Sequence, residues 1–302
     1  KEEERMSDKE YDYLRDDNLN INWYPGHMKK TKDLMKANLK LVDVVVELLD
    51  SRIPYSSKNP DIDTLMAGKP RVVLLNKSDI SDRAKLNKWI NYYKEQGIKA
   101  IPIDAMKGTG VNRIVDECKN AVKDKMDSLK EKGRKERAIR IMIVGVPNVG
   151  KSSLINKLTG RRSTQTGDRP GVTKGKQWVK LRGNLELLDT PGILWPKFED
   201  QDVALNLAFT RAIKDEILDV ETLALRLIEK LMVIEPEKLA ARYKLDELGE
   251  SGIETMDMIA QKRGFITGRK EIDYTRTATT VLNEFRTGKL GNITLEVPED
   301  IK

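Results

Sequence analysis

Residues 145–152 read Gly-Val-Pro-Asn-Val-Gly-Lys-Ser and fit the pattern G-x-x-x-x-G-K-[ST]. The preceding stretch, Ile139–Val144, is rich in β-branched residues, which predicts a buried parallel strand. Residues 153–158 follow with the apolar spacing of a helix. A strand, a glycine-rich loop and a helix in this order predict a phosphate-binding P-loop.

Each residue type in this loop has a chemical reason. The glycines let backbone N–H groups approach phosphate oxygens, and the helix N-terminus adds partial positive charge. Lys151 is expected to reach the β- and γ-phosphates and to act in catalysis, and the Ser152 hydroxyl is expected to bind Mg²⁺. The predicted nucleotide-binding residues of this loop are Asn148, Val149, Gly150, Lys151, Ser152 and Ser153.

The composition predicts a cytoplasmic protein. The chain has 302 residues, a single cysteine (Cys118) and no apolar run of membrane length, so we expect neither a disulfide nor a membrane partner. The net charge of +7 is uneven: residues 197–302 hold 21 acids and 16 bases, whereas residues 21–196 carry about +16. This asymmetry favours a polyanionic partner such as nucleic acid, although a solvated basic surface is the alternative.

The order of patterns predicts the fold class, an α/β P-loop sheet followed by a smaller all-α domain. Strand-like runs at 41–50, 71–75, 99–103 and 139–144 alternate with helical patterns at 29–40, 83–96 and 111–132, which indicates a mainly parallel sheet. Residues 176–181 and 184–188 predict a hairpin. We predict a flexible extension at 1–20, the sheet domain at 21–196 and a helical domain at 197–302.

The tetrapeptide Asn76-Lys77-Ser78-Asp79 fits N-K-x-D and predicts a guanine-specific site. The Asp79 carboxylate can accept hydrogen bonds from N1–H and the 2-amino group of guanine, two donors that adenine lacks. Asn76 would brace the loop and the purine edge, and the Lys77 stem would lie along the base. The motif is specific here because it ends a predicted strand in a chain that also has a P-loop.

Two further motifs complete the nucleotide-binding prediction. In Asp104-Ala105-Met106-Lys107-Gly108, the Ala105 N–H would bind guanine O6, although Asp104 departs from the usual Ser-Ala. In residues 189–192, which fit D-x-x-G, Asp189 would hold Mg²⁺ through water and the Gly192 N–H would sense the γ-phosphate. Thr173 is the predicted switch ligand of Mg²⁺, with Thr166 and Thr164 as alternatives.

The order of these motifs is permuted. N-K-x-D and the alanine loop precede the P-loop here, whereas an ordinary GTPase has them last. The same sheet can form if the old termini are joined and the chain is opened elsewhere, because domain termini are often close together at the surface. The D-x-x-G segment then leads directly toward the helical domain, and we expect nucleotide state to be transmitted there.

In motif order, in its Trp-Tyr-Pro-Gly-His-Met segment at 23–28 and in its helical tail, the chain resembles the circularly permuted GTPases of the YlqF type. The resemblance covers residues 21–295. It implies a GTP-hydrolysing protein that binds precursors of the large ribosomal subunit and assists their late maturation. It also implies that the helical tail contacts rRNA, with ribosomal proteins as further partners.

The resemblance bears on hydrolysis as well. The position after D-x-x-G, where many GTPases carry a water-orienting glutamine, is Ile193. The water-orienting group must come from elsewhere, and the resemblance implies a catalytic role for His27, the only histidine, which follows the Pro-Gly turn of the segment at 23–28; a structural role or an RNA contact are the alternatives. The Asn148 carboxamide could help to hold a K⁺ as in similar GTPases, with simple bracing of the loop as the alternative.

The predicted RNA contacts are basic residues beside small ones in the tail: Lys262, Arg263, Arg269, Lys270 and Arg276. Further basic clusters lie at 29–32 and 134–140. The expected function is GTP-dependent docking to the maturing subunit with hydrolysis-linked release. The alternative is a nucleotide-gated RNA-binding module in which occupancy rather than hydrolysis does the work.

Overall fold

The computed structural model describes residues 28–66, 68–160, 178–188, 200–215 and 219–301. They form two compact units. The first contains the sheet and, within the described ranges, residues 28–188 together with 296–301; the second contains residues 200–295. Among the described residues, no helix is long and apolar enough to cross a membrane.

The first unit is built on one six-stranded sheet. Its strands are β1 (Val44–Asp50), β2 (Arg71–Asn76), β3 (Lys99–Pro102), β4 (Ile139–Val144), β5 (Trp178–Leu181) and β6 (Leu185–Leu188). The strand order is β3-β2-β1-β4-β6-β5, and every pair is parallel except β5 with β6. All residues of β1 are buried, as expected for a central strand covered on both faces.

The helices of this unit are α1 (Met28–Leu39), α2 (Ile62–Met66), α3 (Arg83–Glu95), α4 (Asn112–Ala121), α5 (Lys123–Glu131) and α6 (Lys151–Thr159). Helix α3 begins where the Asp82 side chain accepts the Lys85 N–H. It buries Leu86, Trp89 and Tyr93 against β2 and β3. The predicted parallel sheet with permuted order is confirmed, and its P-loop strand is the fourth along the chain.

Two local features differ from the sequence prediction. Residues 111–132 form two helices rather than one, because the buried Val122 leaves helical geometry and turns the chain between α4 and α5. Helix α2 was not predicted, since its five residues are too short for a periodic signal. The predicted hairpin is present, and positive φ angles at Gly183 (71°) and Asn184 (64°) produce the tight turn that joins β5 to β6.

The second unit is all helical in its described part. It contains α7 (Gln201–Phe209), α8 (Val220–Ile234), α9 (Pro236–Tyr243), α10 (Gly252–Arg263) and α11 (Tyr274–Arg286). Carboxylate or hydroxyl caps begin four of these helices, at Asp200, Asp219, Ser251 and Asp273. The apolar faces of α8 and α11 contribute Leu227, Leu231, Val281 and Phe285 to the core, beside buried residues of the other helices.

The chain returns to the first unit after Leu295. The buried Glu296 carboxylate accepts the Tyr55 N–H at 2.8 Å and also the Ser56 hydroxyl. The Trp89 indole donates to the Glu296 carbonyl at 3.0 Å, and Ile301 packs beside α3. The sequence assigned residues 197–302 to the helical domain, whereas the structure groups 296–301 with the sheet, because these contacts are made after the last helix ends.

Candidate nucleotide-binding site

Three loops meet at the carboxyl edge of the sheet. They follow β2, β3 and β4, which lie in the parallel part of the sheet, so their ends face the same side. The loop after β2 carries N-K-S-D, the loop after β3 carries Asp104–Gly108, and the loop after β4 is the glycine-rich loop that leads into α6. The fold therefore brings together motifs that lie far apart in the sequence; Asn76 and Val149, for example, are 73 residues apart.

The Asn76 side chain joins all three loops. Its Nδ2 donates to the Val149 carbonyl of the glycine-rich loop at 2.7 Å, and its Oδ1 accepts the Ala105 N–H at 2.9 Å. Asn76 is buried, so losing either bond would leave an unpaired polar atom inside the protein. The sequence had assigned the Ala105 N–H to guanine O6, whereas in the structure this donor binds the Asn76 amide.

Lys77 is held by a buried carboxylate that the sequence analysis missed. Its Nζ donates to Asp50 Oδ2 at 2.9 Å and to the Asn148 carbonyl at 3.1 Å. Asp50 ends β1 and also binds the buried Arg52 through two side-chain hydrogen bonds. Burial raises the pKa of Asp50, but the charges of Arg52 and Lys77 outweigh it and hold that pKa well below its usual range. The sequence signal that could have identified Asp50 is an acidic residue at the carboxyl end of a predicted parallel strand.

The hydrogen bonds of Asp104 explain why an acid can stand at this position, where serine is usual. Its Oδ1 accepts the N–H groups of Met106 at 2.9 Å and Lys107 at 3.0 Å, which fixes the turn of the loop. Lys107, another residue that the sequence analysis missed, donates from Nζ to Asp79 Oδ2 at 2.8 Å. The predicted guanine-reading carboxylate thus already has a cation beside it.

The glycine-rich loop has the backbone geometry that phosphate binding requires. Gly150 has a φ of 107° and precedes the first residue of α6, and a Cβ there would collide with the Asn76 amide. Asn148 also has a positive φ, 58°. The Ser153 hydroxyl lies 3.3 Å from the Met106 sulfur, so the start of α6 adjoins the loop after β3. The glycine-rich loop and the loop after β3 thus adjoin one helix N-terminus, which carries partial positive charge.

The residues that could hold Mg²⁺ are only partly described. The Ser152 side chain is exposed in the first turn of α6, beside the loop that would receive the phosphates. An exposed hydroxyl fits a Mg²⁺ that takes its other ligands from phosphates and water. Thr173 and Asp189 lie outside the described residues, as do His27 and Gly192. Within the described residues no cluster of three His, Cys, Asp or Glu side chains could hold a metal without nucleotide.

The predicted RNA-binding residues of the helical unit fall into two groups. Arg263 donates to Glu284 at 3.2 Å and lies over the Tyr243 ring, while Arg276 stacks on Phe265 at 4.5 Å. Arg269 and Lys270 instead occupy an exposed turn that is closed by the bridge between Ile266 and Ile272. Lys262 is exposed at the end of α10.

In the first unit, part of the basic cluster at 134–140 has structural partners. Arg137 binds Asp43 through both terminal nitrogens, at 2.7 and 2.9 Å. Arg140 lies 4.6 Å over the Trp178 ring and 3.5 Å from Glu186. These two side chains therefore support the connection into β4, which the permuted order requires.

Comparison with known proteins agrees with this geometry. A family model described as 50S ribosome-binding GTPase matches residues 140–258, starting at the P-loop strand. Ribosome biogenesis GTPase A of Bacillus cereus is 52% identical over 283 residues, covering 93% of this chain and 95% of that protein. The Thermotoga maritima protein of the same name is 34% identical over 281 residues, covering 93% and 96%.

Solved structures extend the similarity to the fold. A GDP-bound YlqF structure and a GNP-bound YlqF structure from Thermotoga maritima are each 30% identical to this chain, with a TM-score of 0.63. Each comparison covers 90% of this chain and all of the solved chain. The chain thus belongs to the YlqF-type ribosome biogenesis GTPase A family, and it is a GTPase.

Proposed function

We propose that this protein is a GTP-hydrolysing assembly factor for late maturation of the large ribosomal subunit, acting in the cytoplasm. GTP favours docking to the precursor, and hydrolysis releases the protein. The proposal that the protein binds GTP rests on the Asn76 amide, which hydrogen-bonds the guanine motif to the P-loop and to the loop after β3. The ribosomal part is supported by the names of the relatives, which are ribosome biogenesis GTPases.

At the phosphate end of the site, groups of the protein would bind and orient the phosphates of GTP. The backbone N–H groups of residues 148–153 surround the phosphates, and Lys151 balances charge on the β- and γ-phosphates. Ser152 would hold Mg²⁺ together with Thr173 and Asp189. Mg²⁺, when bound, neutralises charge that develops on the phosphate oxygens. At the base end, Asp79 would accept from guanine N1–H and the 2-amino group, and Lys77 would lie along the ring.

The water that attacks the γ-phosphate needs an orienting group, and we assign this role to His27. Ile193, at the usual glutamine position, cannot hydrogen-bond water, so the orienting group must come from elsewhere, and the resemblance to YlqF-type GTPases supports His27. The His27→Ala protein should bind GDP and GTP as the unchanged protein does but hydrolyse GTP at least about 100-fold more slowly. Single-turnover hydrolysis measures this, and unchanged turnover in the presence of ribosomal subunits would remove His27 from the mechanism.

Asn148 supports a second proposal, a K⁺ that takes the place of an arginine finger. The residue lies at the tip of the loop with an exposed side chain, where a carboxamide oxygen could reach a cation beside the phosphates. Hydrolysis should therefore be faster in K⁺ than in Na⁺ at equal ionic strength. Equal rates in the two salts would leave Asn148 with a bracing role only.

For rRNA, the exposed turn of the helical unit is the best-placed part of the predicted contact set. Arg269 and Lys270 are exposed and have no ring contact among the described residues, whereas Arg263 is half-buried over Tyr243 and Arg276, although exposed, stacks on Phe265. The double variant Arg269→Ala, Lys270→Ala should weaken co-sedimentation with large subunits and reduce its salt dependence. Lys244→Ala on the same unit is a control for the loss of surface charge, and equal weakening by the control would contradict the assignment.

The decisive experiment is GTP hydrolysis with and without purified large subunits, in K⁺ buffer. Strong stimulation by large subunits, absent with small subunits, supports a ribosome-triggered assembly GTPase. The alternative is a nucleotide-gated RNA-binding module in which occupancy does the work. In that case a non-hydrolysable GTP analogue would support both subunit maturation and release of the protein, whereas our proposal predicts that the protein stays bound.

A further inference from the structure

The predicted guanine-reading carboxylate has an intramolecular cation beside it. Lys107 Nζ donates to Asp79 Oδ2 at 2.8 Å and lies 3.5 Å from Asp104 Oδ2. Asp79 follows β2 and Lys107 follows β3, so the contact spans the two loops that would hold the purine. Lysine is charged at neutral pH, and the hydrogen bond to Asp79 raises the pKa of Lys107 further.

The backbone of Lys107 is fixed, although its side chain is exposed. Its own N–H donates to Asp104 Oδ1, and the next residue, Gly108, donates its N–H to the Asp104 carbonyl at 2.7 Å. Asp104 is itself buried. The lysine consequently starts from a rigid turn and reaches the carboxylate from the side of the third loop.

The position of this cation matters for one chemical distinction. Guanine presents a donor, the 2-amino group, toward a carboxylate at this position, whereas xanthine presents a 2-oxo acceptor. The xanthine ring is also a much stronger acid than guanine, and its anion is repelled by a carboxylate. An isolated aspartate therefore rejects xanthine strongly. An ammonium group on the same carboxylate can donate to the 2-oxo group and offset the repulsion.

We propose that Lys107 is a specificity-determining residue that lowers discrimination between guanine and xanthine nucleotides at this site. The inference rests on the proposed reading of guanine by Asp79. It concerns the edge of the base alone, and the phosphate-binding loop has no part in it. The protein should thus tolerate xanthine nucleotides better than the same site would without the lysine.

The test is the ratio of the dissociation constants of XDP and GDP, measured by calorimetry on the full chain. The two ligands share their phosphates and require the same fold, so the ratio isolates the base. Lys107→Ala should raise it about two- to fivefold, the effect of an exposed ion pair, and the rise should shrink at high salt. Lys107→Arg, which keeps the charge, should leave the ratio near its original value.

Two controls separate the possible failures. Lys99→Ala removes a lysine at the opposite end of β3, 3.5 Å from Glu117, and should not change the ratio. Asp79→Asn should lower the ratio by orders of magnitude, because an amide can donate to the 2-oxo group. If Asp79→Asn changes the ratio but Lys107→Ala leaves it unchanged or lowers it, the inference about Lys107 is overturned while the proposed reading of guanine by Asp79 stands. If Asp79→Asn has no effect, the proposed guanine reading fails as well.

Discussion

Replacing Glu47 by glutamine should change how the stability of the protein depends on pH. Glu47 lies on the central strand β1 with 2% of its surface exposed. Arg71 donates to its Oε2 at 3.2 Å, but its Oε1 has no hydrogen-bond partner. Burial raises the pKa of Glu47 to about 7, and the charge of Arg71 only partly opposes this.

The sign and size of the effect follow from proton linkage. The pKa in the folded state lies above the ordinary value of 4.5, so the folded protein binds this proton more tightly than the unfolded chain. Stability is therefore lost as pH rises from about 4.5 to about 7, by about 3 kcal/mol in total. Glutamine has the same shape, does not titrate, and can still accept the hydrogen bond from Arg71.

Urea unfolding of both proteins between about pH 5.5 and pH 8.5 measures the effect. The free energy of unfolding of Glu47→Gln, minus that of the unchanged protein, should increase by about 2 kcal/mol across this range. Taking the difference cancels groups that titrate in both proteins. A difference that is flat with pH, or that decreases, would show that Glu47 is ionised in the core and would refute the argument.

Three other substitutions test separate parts of the structure. Asp43→Asn should lower the free energy of unfolding by about 2 kcal/mol at neutral pH. Burial raises the pKa of Asp43, but hydrogen bonds led by that from Arg137 outweigh it and hold the pKa below its usual range. The stability that the carboxylate provides is therefore lost as pH falls, and urea unfolding in acid should show a smaller difference between the two proteins. Gly150→Ala would strain a φ of 107° and displace Asn76, so kcat/KM for GTP should fall about 100-fold, and an unchanged value would contradict the loop geometry. Glu296→Gln should lower the free energy of unfolding by about 1 to 2 kcal/mol in urea, and equal stability would mean that the Glu296 carboxylate does not stabilise the attachment of the C-terminal segment.

The sequence predicted the sheet well because its strands carry strong local signals. The runs that became β1, β2 and β4 are apolar and β-branched, and β2 and β4 each lead into a motif with a chemical reason to lie at a strand end. Short elements such as α2 had no such signal. The break at Val122 was also missed, because a buried valine satisfies a helical pattern as well as a turn between two helices.

The nucleotide-binding site likewise has features that the sequence predicted and features that only the structure shows. Motif spacing was enough to propose Asn76, Asp79 and the P-loop, because each residue type has a defined partner on the nucleotide. The amide of Asn76 that joins three loops, and the carboxylate of Asp50 beneath Lys77, depend on where separate strands end in space. No local pattern encodes such distances.

The sequence by itself determined the chemistry: a phosphate loop, a guanine motif, and a permuted order that still builds one sheet. Periodicity and motif identity are local, so they can be read along the chain. Only the tertiary structure decided which charges are paired inside the protein, that Lys107 lies beside Asp79, and that residues 296–301 return to the sheet. Those outcomes depend on burial and on contacts between distant residues, because a charge or a terminal segment acquires its partner only when the strands are assembled.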